Sequence, residues 1–162
     1  MARSFQLPRP FASLTVAENV RVPILYVVQA RRHRDAAATD VRCAELLSLV
    51  GLADKSGKLP RDLTQIEMRK LELARAMASE PRLLIADEAM AGLSHGEVDD
   101  ILALLLRMND AGVTVIMIEH IMRAVLHFSQ RLVVLVAGRK IADGNPQEVV
   151  RNPEVERAYL GE

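Results

Sequence analysis

The sequence predicts an α/β fold in which helices cover a parallel sheet and a separate helical part comes first. Three short apolar runs rich in β-branched residues occur in the second half of the chain: "RLLIAD", "VTVIMIE" and "RLVVLVA". Runs that are apolar on both faces are typical of parallel strands covered by helices. The first half has apolar residues at helical spacing instead. We therefore expect a helical part over residues 1–80 and a strand–helix core over residues 81–162.

Three capping boxes mark the starts of helices. In each box a Thr or Ser is followed three residues later by a Glu, and each side chain bonds to the backbone N–H of the other residue. The boxes predict helices from residue 16 to about 32, from 65 until Pro81, and from 95 to 110. They pair Thr15 with Glu18, Thr64 with Glu67, and Ser94 with Glu97.

The other segments carry shorter signals. Residues 1–14 are Pro-rich and are expected to be irregular. A second helix is expected from about Ala36 to Val50, ended by Gly51, and a short one from Ile121 to Ser129. The stretch "AGRKIADG" predicts a hairpin-like return. The tail segments "NPQEVV" and "NPEVERAYL" each place Asn as a cap and Pro at the first helical position.

Composition excludes several classes of protein. The formal net charge is zero, with 21 basic and 21 acidic residues, which argues against a nucleic-acid binder held by electrostatics. Aromatic residues make up only 3% of the chain, so base-stacking platforms are not expected. A single cysteine, Cys43, excludes an internal disulfide and fits a reducing compartment. No apolar run approaches the roughly 20 residues that span a bilayer.

Polar side chains end two of the predicted strands. Asp87 and Glu88 follow the first strand, and Glu119 and His120 follow the second. Ligands of open parallel sheets bind beyond the carboxyl ends of the strands. An aspartate there can hold Mg²⁺, the next carboxylate can polarise an attacking water, and a histidine can donate a hydrogen bond to a phosphate.

Other interpretations of the same residues stay open at this point. An apolar strand that ends in "DE" is common in proteins without any catalytic role, and His120 alone fits a capping or structural histidine. A metal-hydrolase cluster is a further alternative, although it lacks the His and Cys pairs at metal-ligand spacing. That cluster would contain Asp87, Glu88, His95 and His120.

The order of the motifs resembles the ATP-binding subunit of ABC transporters, in the branched-chain amino acid importer branch. "ARSFQLPRPFASLTVAENV" is similar to the Q-loop region, and "LTQIEMRKLELARAMASEP" to the signature motif and its helix. "LLIADEAMAGLS" resembles Walker B with the D-loop, and "VIMIEH" the switch-histidine strand. "GRKIADGNPQEVVRNPEVERAYLGE" is similar to the tail of that branch. The resemblance covers nearly all of the 162 residues.

The resemblance implies a P-loop NTPase core with a helical subdomain, and ATP hydrolysis at a head-to-tail dimer interface. Asp87 and Gln6 would help to bind Mg²⁺, Glu88 would activate water, and His120 would contact the γ-phosphate. Thr64 would contact the ATP held by the opposite subunit. The implied partners are transmembrane permease subunits, a second ABC ATP-binding subunit and, indirectly, a substrate-binding protein. The implied location is cytoplasmic and peripheral on the inner face of the cell membrane.

The phosphate loop of the family, G-x-x-x-x-G-K-[ST], has no match in this sequence. The stretch "GLADKSGKL" over residues 51–59 is rejected, because five residues separate Gly51 from Gly57 and Leu59 replaces the magnesium-binding hydroxyl. It also follows a helix, whereas a phosphate loop follows a strand. We therefore expect a partial ABC subunit whose N-terminal part, with the phosphate loop, is missing.

The signature and the D-loop differ from the family pattern as well. In "LTQIE", Ile66 replaces a glycine and Glu67 adds a negative charge, unless that carboxylate is turned back into the capping box. Ala89 stands where a proline usually follows the glutamate, and Ser94 replaces the usual acidic residue of the D-loop. Whether "LTQIE" still contacts ATP is therefore open.

Two other functions remain as alternatives. The chain would be a non-catalytic interaction module if it docks on transmembrane subunits and hydrolyses nothing. It would be a non-transport ABC ATPase if it acts in DNA repair or translation, but the tail "PEVERAYLGE" and the neutral charge argue against that.

Overall fold

The computed structural model describes residues 1–4, 9–28 and 36–160 of the chain. These residues form two compact units, Met1–Ile118 and Glu119–Glu162. The division expected after residue 80 depends on a change in the spacing of apolar residues, from a helical to a strand-like pattern. It stays a prediction.

A parallel sheet of three strands lies in the first unit. Its order is β1 (Ala2–Ser4), β2 (Leu83–Asp87) and β3 (Thr114–Ile118). The two runs predicted as β2 and β3 are confirmed as parallel neighbours, with Asp87 opposite Ile118. The prediction that residues 1–14 are irregular is wrong for β1, which pairs with β2 over three residues. So short a strand is specified by its partner rather than by its own pattern.

Helices make up the rest of the first unit. The capping boxes at Thr15 and Thr64 are confirmed by reciprocal bonds to Glu18 and Glu67. At Ser94, the Glu97 carboxylate accepts from the backbone N–H at 2.8 Å. The helices are α1 (Val16–Pro23), α2 (Ala36–Leu49), α3 (Gln65–Met77) and α4 (His95–Asp110), with 3₁₀ turns at Ala53–Lys55 and Pro60–Asp62.

Helix α1 is shorter than predicted. Its α-helical part ends at Pro23 and continues as a π-helical turn over Ile24–Val28. Proline has no N–H to donate and its ring crowds the preceding turn, which is a recognised cause of a change in helical bonding. The predicted end near Arg32 lies outside the described residues.

Buried apolar residues join the helices and the sheet of this unit into a core. Helices α1, α2 and α3 pack on one another, and Leu84 and Ala86 of β2 are completely buried. The apolar stripe of α4 is buried too, including Ile101 and Leu105 at 0% exposure. β2 is therefore the covered strand of the sheet, and it ends at Asp87.

The second unit is a hairpin with three short helices. Helix α5 (Met122–Phe128) comes first, then β4 (Leu132–Val136) and β5 (Arg139–Gly144), and finally α6 (Pro146–Val149) and α7 (Pro153–Leu160). The hairpin-like return is confirmed, because β4 and β5 pair antiparallel. The Asp143 carboxylate of β5 binds Arg131 across the hairpin and Lys140 on its own strand.

The expectation that "RLVVLVA" is a parallel strand is wrong. Within the described part of the chain, β4 pairs with β5 alone. The turn at Ala137 and Gly138, both with positive φ, brings β5 back at once, and such local pairing closes more readily than a parallel crossover. In the described ranges, no helix has the length and apolar character that crossing a bilayer requires.

Candidate functional site

The carboxyl end of β2 presents the two predicted carboxylates. Asp87 is the last residue of the strand, and the Glu88 backbone N–H donates to the Ile118 carbonyl of β3 at 2.9 Å. Both side chains are half-buried. Glu88 has a φ of +48°, a left-handed conformation that costs a non-glycine residue about 1–2 kcal/mol. Such strain is commonly kept at functional sites.

A tight turn follows Glu88. The Ala91 N–H donates to the Glu88 carbonyl at 3.2 Å, and Gly92 has a φ of +76°. Ala89 and Met90 are buried at 3% and 0% exposure. The alanine that replaces the family's proline is therefore a buried residue whose small side chain the turn accommodates.

The structure resolves the question raised by Glu67. One oxygen of its carboxylate accepts from the Thr64 N–H at 3.0 Å, and the other accepts from the Lys55 ammonium. The pKa of Glu67 is lowered, first by the hydrogen bond from Lys55 and then by the bond from Thr64. The same ion pair raises the pKa of Lys55. The charge of Glu67 is thus turned back onto its own helix and balanced by a cation.

Thr64 is exposed at the first turn of α3. Its hydroxyl accepts from the Glu67 N–H at 3.4 Å. A hydroxyl that accepts one bond still has a proton to donate. Ile66, which replaces a glycine of the signature, is half-buried in the same turn.

Two side chains of α3 join its first turns to the turn after β2. Gln65 Nε2 donates to the Ala91 carbonyl at 3.3 Å, and an Arg69 guanidinium nitrogen lies 3.5 Å from the same oxygen. A Cβ at Gly92 would lie 2.6 Å from Gln65 Nε2. The structure therefore brings the signature-like segment against the D-loop-like turn within one unit. The roles of Gln65, Arg69 and Lys55 were missed, because their partners lie 12 to 26 positions away in the chain and no local pattern indicates them.

A further cluster holds the segment that follows the Q-loop position. Asn19 is completely buried and exchanges two hydrogen bonds with the backbone of Phe11. Arg75 of α3 donates to the Arg9 carbonyl at 2.9 Å, and its guanidinium carbon lies 5.1 Å from the Phe11 ring centre. Burial lowers the pKa of Arg75. Gln6 itself lies outside the described residues.

His120 is the predicted site residue in the second unit. It is exposed, and its backbone carbonyl accepts from the Tyr159 hydroxyl at 3.3 Å. Asp87, Glu88 and Thr64 belong to the first unit.

The structure gives no support to the metal-hydrolase cluster or to residues 51–59 as a phosphate loop. Across residues 1–4, 9–28 and 36–160, no three His, Cys, Asp or Glu side chains lie close enough to hold a metal ion. His95 begins α4, one residue after its cap. The stretch 51–59 follows α2, as expected, and contains a 3₁₀ turn.

Comparison with known proteins gives consistent results along the whole chain. The family model for "ABC transporter" matches residues 1–91, and that for "Branched-chain amino acid ATP-binding cassette transporter" matches residues 139–162. The high-affinity branched-chain amino acid transport ATP-binding protein BraF of Pseudomonas aeruginosa is 35% identical over 174 residues, which cover all of this chain and 68% of BraF.

Solved structures agree on the fold. The ATP-binding cassette MJ1267 of an ABC transporter matches 98% of this chain and 67% of its own, with a TM-score of 0.81 and 24% identity. CbiO1 of Clostridium perfringens, described as part of the ABC transporter complex CbiONQ, matches 96% of this chain and 61% of its own, with a TM-score of 0.81 and 27% identity. The chain therefore belongs to the ATP-binding proteins of the ABC transporter family, in the branched-chain amino acid branch.

Proposed function

We propose that the chain supplies the water-activating half of an ATP site in an ABC importer for branched-chain or related amino acids. The observation that carries this proposal is the placement of Asp87 and Glu88. Asp87 ends the covered strand β2 and Glu88 follows it, with the Glu88 N–H donating to the Ile118 carbonyl at 2.9 Å. Carboxylates at this edge of a parallel sheet are placed for a nucleotide and its metal.

The two carboxylates take different roles in this proposal. Asp87 offers the hard oxygen ligand that Mg²⁺ prefers, and Gln6 joins it. Glu88 orients and deprotonates the attacking water, and its left-handed backbone aims its side chain differently from that of a continuing strand residue. Mg²⁺ supplies charge neutralisation on the phosphates when it is bound.

Two further groups contact phosphate in this proposal, and Thr64 does so on the ATP held by the opposite subunit. Thr64 offers its hydroxyl at the start of α3, a 13-residue helix whose partial positive charge favours anions. The ion pair of Glu67 with Lys55 supports this role, because it prevents an unbalanced carboxylate from repelling phosphate. His120, which lies in the second unit, has the role of contacting the γ-phosphate in this proposal.

The partners follow from the family. We infer that the chain works with transmembrane permease subunits and with a second ABC ATP-binding subunit, and indirectly with a substrate-binding protein. CbiO1, a similar protein, is part of a transporter complex. The location in this proposal is peripheral, on the inner face of the cell membrane. Phe11, which is 45% exposed beside Arg75, belongs to the surface that we expect to contact the permease.

The phosphates need a cradle that residues 1–162 do not contain, since no G-x-x-x-x-G-K-[ST] motif occurs in them. Charged hydrogen bonds are worth about 1.5–3 kcal/mol each. Three missing contacts lower ATP affinity by roughly a thousandfold to a millionfold. We therefore expect calorimetry to find no micromolar ATP binding by this chain alone, and such binding would contradict the expectation.

The proposal is tested with the chain joined to an N-terminal segment that carries a strand and a phosphate loop. Glu88→Gln should then reduce turnover by about 10²–10⁴-fold, the usual effect of a general base, with nucleotide binding kept. Asp87→Asn should weaken Mg²⁺-dependent binding instead. Glu148→Gln, an exposed carboxylate of α6, is the matched control. Near-full turnover of Glu88→Gln would show that another group is the base.

The absent phosphate loop also favours a second candidate, a non-catalytic module that docks on transmembrane subunits. This module would bind permease subunits but would show no hydrolysis even after a phosphate loop is added. Hydrolysis restored by that addition, and removed again by Glu88→Gln, excludes it.

A further inference from the structure

We propose that Tyr159, near the C-terminus, is a positioning residue for the backbone of His120. The inference rests on the proposed function in one respect: His120 is taken as the residue that contacts the γ-phosphate. It assigns a task to the tail segment, residues 139–162, that matches the branched-chain amino acid family model.

The tail is built to hold Tyr159 in place. The Asn152 side chain accepts from the Glu154 N–H at 2.9 Å and so caps α7. Val155 is 6% exposed, and α7 contacts β5. Tyr159 follows Val155 by four residues and therefore lies on the same face of the helix. The buried valine anchors the face from which the tyrosine extends.

The contact with His120 is made by the hydroxyl of Tyr159. It donates to the His120 carbonyl oxygen at 3.3 Å, across 39 positions of sequence. The tyrosine is 59% exposed, so burial of its ring is not its main contribution. A phenylalanine would retain nearly all of the ring contacts and lose this bond alone.

Fixing the carbonyl constrains His120 itself. The peptide unit between His120 and Ile121 is planar, so the position of its oxygen sets the ψ angle of His120. Ile121 caps α5, and its own carbonyl accepts from the N–H groups of Ala124 and Val125 at 2.9 Å and 3.1 Å. The segment is therefore held by α5 on one side and by Tyr159 at the carbonyl, which limits the directions that the imidazole can take.

The contact is tested by NMR on the full chain. His120 is the only histidine that is followed by isoleucine, so labelling His with ¹³C at the carbonyl and Ile with ¹⁵N gives one carbonyl–amide correlation. Tyr159→Phe should move the carbonyl resonance of His120. Amide exchange at Ala124 and Val125 should rise by about 2- to 13-fold, the effect of losing one net hydrogen bond.

The chain offers a matched control, since its only other tyrosine is Tyr26, which is 77% exposed. Tyr26→Phe should leave the resonance and both exchange rates unchanged. An unmoved carbonyl resonance in Tyr159→Phe overturns the proposal, and so does an equal shift in both variants. The measurement is made without nucleotide, whereas the phosphate contact of His120 is tested by His120→Ala in the hydrolysis assay. A failure of either claim is therefore seen separately.

Discussion

Helix α4 and strand β3 follow one another in the chain, and both are rich in apolar residues, but they are buried very differently. In α4, Ile101 and Leu105 are completely buried. In β3, Ile116 and Ile118 are 48% and 49% exposed. An apolar stripe on a helix predicts which face of the helix is buried. An apolar strand does not predict which element, if any, covers it.

The difference has a physical basis in how each element satisfies its backbone. Helix α4 bonds its own N–H and C=O groups and fixes its first turn with Ser94 and Glu97. Strand β3 depends on neighbours, and in the part of the chain that the structure describes it pairs with β2 alone. It also lacks the charges and prolines that protect exposed sheet edges. We expect β3 to be the less protected of the two.

The largest effect is expected from a matched pair of isoleucines. Ile101→Ala should lower the free energy of unfolding by about 2–5 kcal/mol, because it leaves a cavity in a packed core. Ile116→Ala should cost less than about 1 kcal/mol, since its side chain is already half exposed. Urea unfolding of both variants measures the difference. Equal losses would show that β3 is covered as fully as α4.

A smaller effect is expected at the turn between β2 and α4. Gly92→Ala should cost about 1–2 kcal/mol, because an alanine at a φ of +76° is strained. The approach to Gln65 adds little, as that amide ends a flexible side chain. Gly96→Ala, with open space in α4, should be neutral or stabilise by up to about 1 kcal/mol. Thermal unfolding measures the stability of both variants. A similar loss of stability in both would show that the left-handed conformation of Gly92 is not the cause of the cost.

The smallest effect is the pH dependence of stability that Glu67 of α3 contributes. Strand β3 has no titratable residue and contributes none. The pKa of Glu67 is lowered in the folded chain, chiefly by Lys55. The stability that it contributes is therefore present above the ordinary glutamate pKa of about 4.3 and is lost as the pH falls through the folded value. Glu67→Gln should be less stable than the parent at pH 7 and should converge with it in acid.

The role of Lys55 in that dependence is tested separately. Lys55→Met should shrink the difference between the parent and Glu67→Gln, because the main cause of the lowered pKa is gone. Denaturant unfolding across this pH range measures the gap. If Lys55→Met leaves the stability difference between the parent and Glu67→Gln unchanged, the lowered pKa of Glu67 is due to the Thr64 backbone bond instead.

Local signals allowed much of the fold to be predicted. The Ser94 box placed α4 at residues 95–110, as found, and α5 was predicted to within one residue at each end. The Ser94 box acts over one helical turn. One missed feature depends on a distant partner, since β1 forms beside β2. The other is the partner of β4, which pairs locally with β5 and is not a parallel strand.

The same distinction applies to the candidate site. Asp87 and Glu88 were expected at the end of a strand, and the structure places them there. The contacts of Gln65 and Arg69 with Ala91 were not expected, because they join residues 22 to 26 positions apart. Side chains that position a site across such separations leave no periodic pattern in the sequence.

The claim that the helices are better covered than the apolar strands is tested most directly by amide hydrogen exchange. The experiment uses the isolated chain, shown to be a monomer. We expect firm protection over residues 65–79, where α3 is capped and packed, and weak protection over residues 113–136, which include β3 and β4. Uniformly strong protection across both regions would contradict the account, because it would show that the strands are covered as completely as the helices.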